Sequence, residues 1–404
     1  WDPLPALGKV AALVPEDADV GRVGNLRVNE ALALLQVGDV DQAAAALKAV
    51  PSAVSGERWQ ELETWKLDAQ ARVALTRADF DEADVLLAEL AQVAETYGSL
   101  QMLWRARLGR ATLLQGQGAR EAALEAYREA EELLDLHLLT VPLGQGRAEW
   151  LGSHVRGTQT LISLLLEGGD TAQALQVAQR ARRRFIRSVA RVHRVDALDD
   201  DARADLAALR SDLDQQRLAQ TATHRDLPLP ERMADALGAG LAILREPPEP
   251  GPGPSAPPRP GELRLVYTSA PSGWWGFAQT HGSVHVARLD VPDGGIGRLS
   301  GQRLTDLLLS PFAVDLRASQ RLVVQPSDDL ASVDFHALPF DGAPLVARLP
   351  VAYSLDLQRS PAHAEGEVLA VIDTLPDSRP LPGARAVAGR LVELVPEART
   401  LRGA

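Results

Sequence analysis

One short pattern occurs four times in this chain, and it limits the fold more than any other feature. Gly38-Asp-Val-Asp-Gln-Ala43, Ala78-Asp-Phe-Asp-Glu-Ala83 and Gly118-Ala-Arg-Glu-Ala-Ala123 place their last alanines 40 residues apart, twice in succession. A fourth copy, Gly169-Asp-Thr-Ala-Gln-Ala174, follows after 51. In each copy a small residue ends one helix, and an Asp or similar group caps the next. The alanine then falls where two helices cross, because only a small side chain lets the backbones approach. One turn further on stand Leu47, Leu87, Tyr127 and Ala178. Two turns on come Val50, Leu90, Ala130 and Ala181, which continue the stripe on the same face. Such a unit buries its apolar face only against its neighbours, so the copies predict stacked helix pairs.

With Ala43, Ala83, Ala123 and Ala174 as its small-residue positions, the pattern resembles the tetratricopeptide repeat. That repeat has a period of about 34 residues, so these copies predict longer helices. Another paired-helix solenoid with a period near 40 stays open. After the fourth copy Arg180, Arg184, Arg187, Arg191 and Arg194 form one basic stripe. Guanidinium forks suit carboxylates and phosphates, which makes these five arginines the candidate partner-binding residues. The competing reading neutralises them internally, with Asp199–Asp201 or Glu129–Glu132. A helix seamed by Leu206, Leu209 and Leu213 follows Asp199 and closes the array as a hairpin.

The array occupies residues 1–245. Residues 246–261 form a spacer with eight prolines between Pro247 and Pro260, where neither helix nor strand ladder persists. Residues 262–404 change character. Leu263–Thr268, Trp274–Gln279, Val284–Leu289, Arg321–Gln325 and Val368–Ile372 read as strands. Leu299–Leu309 and Ala386–Leu394 read as helices, so this part is an α/β layer structure. The adjacent Trp274 and Trp275 point to opposite faces of one strand, which allows one of them to dock the helical array.

Within this last part, Leu308–Ala313, Arg321-Leu-Val-Val-Gln-Pro326 and Phe335-His-Ala-Leu-Pro339 resemble the CHAT family. These are caspase-like domains that accompany tetratricopeptide repeats. Pro344-Leu345 through Val351-Ala-Tyr-Ser354, Leu381-Pro-Gly-Ala-Arg385 and Leu401-Arg-Gly403 continue the resemblance in order. Asp334 stands where the family has proline, and Val387 where it has glutamate. The implied fold is multidomain: an all-α tetratricopeptide-like solenoid followed by the N-terminal part of a caspase-like α/β domain. The implied function is a solenoid that binds a protein or peptide partner and regulates a cysteine peptidase. The alternative is a non-catalytic scaffold.

In that family the histidine and cysteine of the peptidase follow the last matched stretch. This chain contains no cysteine, which excludes a disulfide, a thiolate ligand and a thiol nucleophile within it. Its start at Trp1 and end at Ala404 predict that the native protein extends further, with the His/Cys dyad beyond this chain. No catalytic residue, cofactor or metal site is expected here. Gly295–Gly301 reads as an ordinary loop, His281 and His285 as strand histidines, and His336 as a packing residue. Lysine occurs only at positions 9, 48 and 66, which rules out a Walker loop in the α/β part. A net charge of −12 argues against a nucleic-acid partner, and no apolar run reaches membrane-spanning length. The expected location is cytoplasmic.

Overall fold

A computed structural model describes residues 20–51, 57–140, 147–196, 198–208, 257–292, 295–296, 299–326, 328–354, 369–372 and 399–402. Its first part is helical: α1 (Val20–Gln36), α2 (Val40–Lys48), α3 (Glu57–Thr76), α4 (Phe80–Tyr97), α5 (Leu100–Gly116), α6 (Arg120–Thr140), α7 (Arg147–Glu167) and α8 (Thr171–Asp196). The helices pair as α1/α2, α3/α4, α5/α6 and α7/α8. Successive pairs also touch, with α1 against α3 and α3 against α5.

All four copies of the repeated pattern are the turn within a pair, and they share one geometry. Gly38, Ala78, Gly118 and Gly169 adopt left-handed φ values of 84°, 58°, 75° and 77°. The next amide, from Asp39, Asp79, Ala119 or Asp170, donates back to Leu34, Ala74, Leu114 or Leu165, each at 2.9 Å. This satisfies a carbonyl that the helix end leaves open. Asp39, Asp79 and Asp170 then accept from the amides of Gln42, Glu82 and Gln173 and cap the following helix. Ala119 has no side chain to do so. Ala43, Ala83, Ala123 and Ala174 are all 0% exposed, as residues at a close helix crossing must be. The longer fourth interval is taken up by α6 and α7, at 21 residues each.

The second part is a mixed five-stranded sheet in the order β3-β2-β1-β4-β7. Here β1 is Glu262–Ala270, β2 Gly273–Gln279, β3 Val284–Leu289 and β4 Arg321–Gln325; β5 (Pro339–Phe340) and β6 (Ala343–Pro344) form a small separate hairpin, and β7 is Val351–Tyr353. Strands β1, β2 and β3 form an antiparallel meander, while β4 runs parallel to both β1 and β7. Between them lie α9 (Gly301–Leu308), α10 (Ala313–Ala318) and α11 (Leu345–Arg348). One sheet face, through Leu263, Leu265, Tyr267, Leu322 and Val324, packs on Leu308, Phe312, Phe335 and Leu338.

The protein is thus helix-rich at first and carries a mixed α/β layer afterwards. The helices and this sheet belong to one compact unit; β8 (Leu369–Ile372) and β9 (Arg399–Arg402), a parallel pair, belong to a second. Residues 200–208 are helical, with Asp199 accepting from the Ala202 amide and Leu206 buried. Leu209, Leu213, Val387, the expected helix Ala386–Leu394 and most of the proline-rich spacer lie outside the described residues.

The turns give two substitutions of opposite sign. Ala78 holds a left-handed conformation that glycine adopts without a Cβ penalty, so Ala78→Gly should stabilise the protein by about 1 kcal/mol. At Gly118 a Cβ would meet nothing within 4 Å, so Gly118→Ala should cost about 1 kcal/mol through backbone strain alone. Chemical denaturation of the two variants checks both signs.

Candidate functional site

The arginine stripe faces inward where it begins. Arg184, only 5% exposed at its side chain, donates to Glu131 Oε2 at 2.8 Å and to Asp135. Arg180 Nε donates to the other Asp135 oxygen at 2.6 Å. Thr158 on α7 donates to Glu131 Oε1 at 2.6 Å, so one network ties α6, α7 and α8 together. Burial alone would lower the Arg184 pKa, but the two carboxylates outweigh it and hold it above its ordinary value. Burial likewise pushes Asp135 up, yet Arg184 and Arg180 keep it below the ordinary carboxylate range. Arg184 is therefore a buried structural ion-pair partner, and Arg180, 22% exposed at its side chain, shares the Asp135 carboxylate with it. Arg187 is half-buried, and the Arg191 and Arg194 side chains lie outside the described residues.

A second polar and aromatic cluster lies across α3, α5 and α7, the first helices of three pairs. Arg105 places its guanidinium 4.7 Å from the Trp65 ring centre and donates to Asp68 at 3.0 Å. The guanidinium also lies 5.9 Å from the Trp104 ring centre; His154 follows 4.5 Å from Trp104, and Trp150 stacks 3.9 Å from that imidazole. His154 Nδ1 lies 2.7 Å from the Trp150 carbonyl, which only accepts, so Nδ1 carries the proton of the neutral ring. Nε2 is buried without a hydrogen-bond partner. Burial holds the His154 pKa below its ordinary value. The bond to the Trp150 carbonyl opposes this shift, and the Arg105 charge reinforces it.

The repeat register reveals this cluster. Trp65, Arg105 and Arg156 stand the same 13 residues before the turn residues Ala78, Gly118 and Gly169. They therefore occupy one equivalent position on successive first helices. Reading the copies only from the turn onward missed them.

The last helix pair joins the array to the sheet. Leu161, Leu165, Ala174, Leu175 and Ala178 share a core with Val266 and Phe277, and Trp275, Val284 and Val286 pack against it. Trp274 goes to the opposite sheet face, so the two tryptophans divide as their alternation predicts, and Trp275 is the docking ring. Around this core Gln159 bonds Ser269 at 3.0 Å, Ser163 meets Ser272 at 2.9 Å, and Arg182 reaches the Ser354 carbonyl at 3.3 Å. Beside Ser354, at the end of β4, Gln325 is fully buried with neither amide atom hydrogen-bonded.

The remaining sequence candidates are accounted for individually. His281 bonds the Pro258 carbonyl and His285 bonds Asp315, so the two imidazoles serve different partners. His336 lies 3.2 Å from the Val351 carbonyl. Asp334 accepts from the His336 amide at 3.1 Å and so closes a local turn. Among the described residues no cluster of three or more potential ligands is placed to hold a metal, and no helix is long and apolar enough to cross a membrane. Compared with protein-family models, with curated proteins and with solved structures, the chain matches none.

Two outcomes follow from these clusters. Arg184→Met strands Glu131 and Asp135 in a buried site and should cost about 3–5 kcal/mol, whereas Arg180→Met leaves Asp135 paired and should cost less. Urea denaturation ranks the two. His154 is neutral when folded and protonates more readily when unfolded. Stability should therefore be full above the ordinary histidine pKa, about 6.5, and fall as pH drops below it. In His154→Phe, thermal unfolding across that range should show a smaller acid loss.

Proposed function

We propose that this chain is a TPR-CHAT protein, in which a tetratricopeptide-like solenoid receives a protein partner and regulates a caspase-like α/β domain. One observation carries the reading: the last helix pair and the sheet share a single apolar core through Phe277 and Trp275. A change in the curvature of the helix stack would then load the sheet directly, without passing through the proline-rich spacer. The sheet order, with an antiparallel meander beside parallel β1, β4 and β7, is compatible with the front of a caspase-like layer. Helix pairs with equivalent turns supply the extended surface on which such arrays bind peptides.

Chemistry follows from composition. Peptide cleavage of the caspase type needs a thiolate activated by a nearby histidine, and these 404 residues contain no cysteine. In this reading the nucleophile and its histidine come from sequence outside the chain, and the chain contributes partner recognition and the scaffold of the site. The absence of cysteine also supports the second reading, a non-catalytic scaffold.

The deciding experiment takes the complete gene product. We expect a His and a Cys downstream of position 404, and partner-dependent cleavage that is lost on replacing that Cys with Ala. In the same protein Trp275→Ala combined with Phe277→Ala should retain partner capture and lose the partner's effect on cleavage. A gene product without any Cys, or cleavage indifferent to its replacement, would remove the peptidase reading and leave the scaffold.

A further inference from the structure

The arginines of α3, α5 and α7 differ from those of α8 in their company. In α8 two guanidiniums meet two carboxylates. In the first helices Arg105 and Arg72 share one carboxylate, that of Asp68, at 3.0 and 4.0 Å. Arg156 is exposed, and among the described residues no carboxylate lies within ion-pair distance of it. Arg105 and Arg156 both lie within electrostatic reach of Arg72. Arg72 is held below its ordinary pKa first by burial, and the charges of Arg105 and Arg156 add to this against the pull of Asp68. Three positive charges against one negative is a local surplus in a chain whose net charge is −12.

The arrangement is also preorganised. Asp68 is nearly buried and orients Arg105, whose guanidinium sits 4.7 Å over the Trp65 ring centre. The planar fork is thus fixed before any ligand arrives, which lowers the entropic cost of binding. Arg105 and Arg156 repeat at one register position, where α3 carries Trp65, and Arg72 stands two turns further along α3, so the surplus charge forms a row over the first helices of three pairs.

From this row we infer a binding site for an acidic, extended segment of a partner protein, whose Asp or Glu carboxylates sit on Arg72, Arg105 and Arg156. The inference rests on the partner-binding reading above and supplies the chemistry of the partner. A peptide fits better than a nucleic acid. The positive surplus is local, whereas a long polyphosphate would also meet the negative field of the whole chain.

The test uses a short fluorescein-labelled peptide alternating Glu and Ser, its Gln–Ser twin and a short oligothymidylate, each titrated with the full chain by fluorescence anisotropy. The Glu–Ser peptide should bind, weaken as salt rises, and lose about tenfold in affinity to the Arg72→Gln/Arg156→Gln variant. Arg303→Gln, the loss of one charge at an exposed position of α9 and so the match for Arg156→Gln alone, should leave affinity unchanged. Circular dichroism confirms the fold, and the exposed Arg156→Gln alone carries the test should the double variant unfold. Equal binding of the Gln–Ser twin overturns the charge assignment and spares the partner-binding reading. Failure of both peptides to bind overturns both, and tighter binding of oligothymidylate overturns the proposal by assigning the row to phosphates.

Discussion

A stack of helix pairs cannot simply end in water, because each pair is apolar on the two sides where its neighbours belong. Here α7 and α8 meet the preceding pair through Leu124, Tyr127 and Ala111, and the sheet through Val266 and Phe277. The sheet therefore occupies the place of a fifth pair. Its own needs are met by the same contact. Strand β4, Arg-Leu-Val-Val-Gln, is buried along nearly its whole length, as a parallel strand covered on both faces must be. On the sheet as a whole, the helical array covers one face at Val266 and Phe277, and α9 with Phe312, Phe335 and Leu338 covers the other. Each part thus covers apolar surface that the other leaves exposed.

This mutual cover explains how much of the fold was legible in the sequence. The turns were readable because their chemistry is local: a left-handed residue, an Asp cap and a small crossing residue within six positions. Strands β1 to β4 were readable from short apolar runs between turn residues, and Val284–Leu289 and Arg321–Gln325 match their expected limits. Alternation alone separated Trp274 from Trp275. The direct docking of array on sheet was less legible, since the proline-rich spacer suggests distance while Leu161, Leu165 and Phe277 look like any other core residues.

The candidate site was legible only in part, because periodicity identifies a face without saying what the face meets. Arg180 and Arg184 do form a stripe, but Glu131 and Asp135, one turn apart on α6, lie opposite them and neutralise it. The acidic run Glu129–Glu132 supplies Glu131, while Asp135 stands outside it, one turn on. The arginines that remain in surplus are spread over three helices, and no window along the sequence contains them together. Only alignment of the copies by their turn residues brings Trp65, Arg105 and Arg156 into one column.

The two arginine groups meet on α7. Thr158 holds Glu131, and Glu131 holds Arg184, so the α7 backbone near residue 158 is fixed to α6 and α8 by a buried network. Arg156 lies two residues away on the same helix and points to solvent. One and two turns further along, Gln159 and Ser163 bond the sheet at Ser269 and Ser272. A load placed on Arg156 is therefore carried by a helix that is stiffly held on one side and stitched to the sheet on the other. Buried ion pairs add little net stability compared with apolar packing, but they fix register. Under the proposed regulation, that register is what would let a contact on the first helices displace the sheet instead of dissipating within the stack.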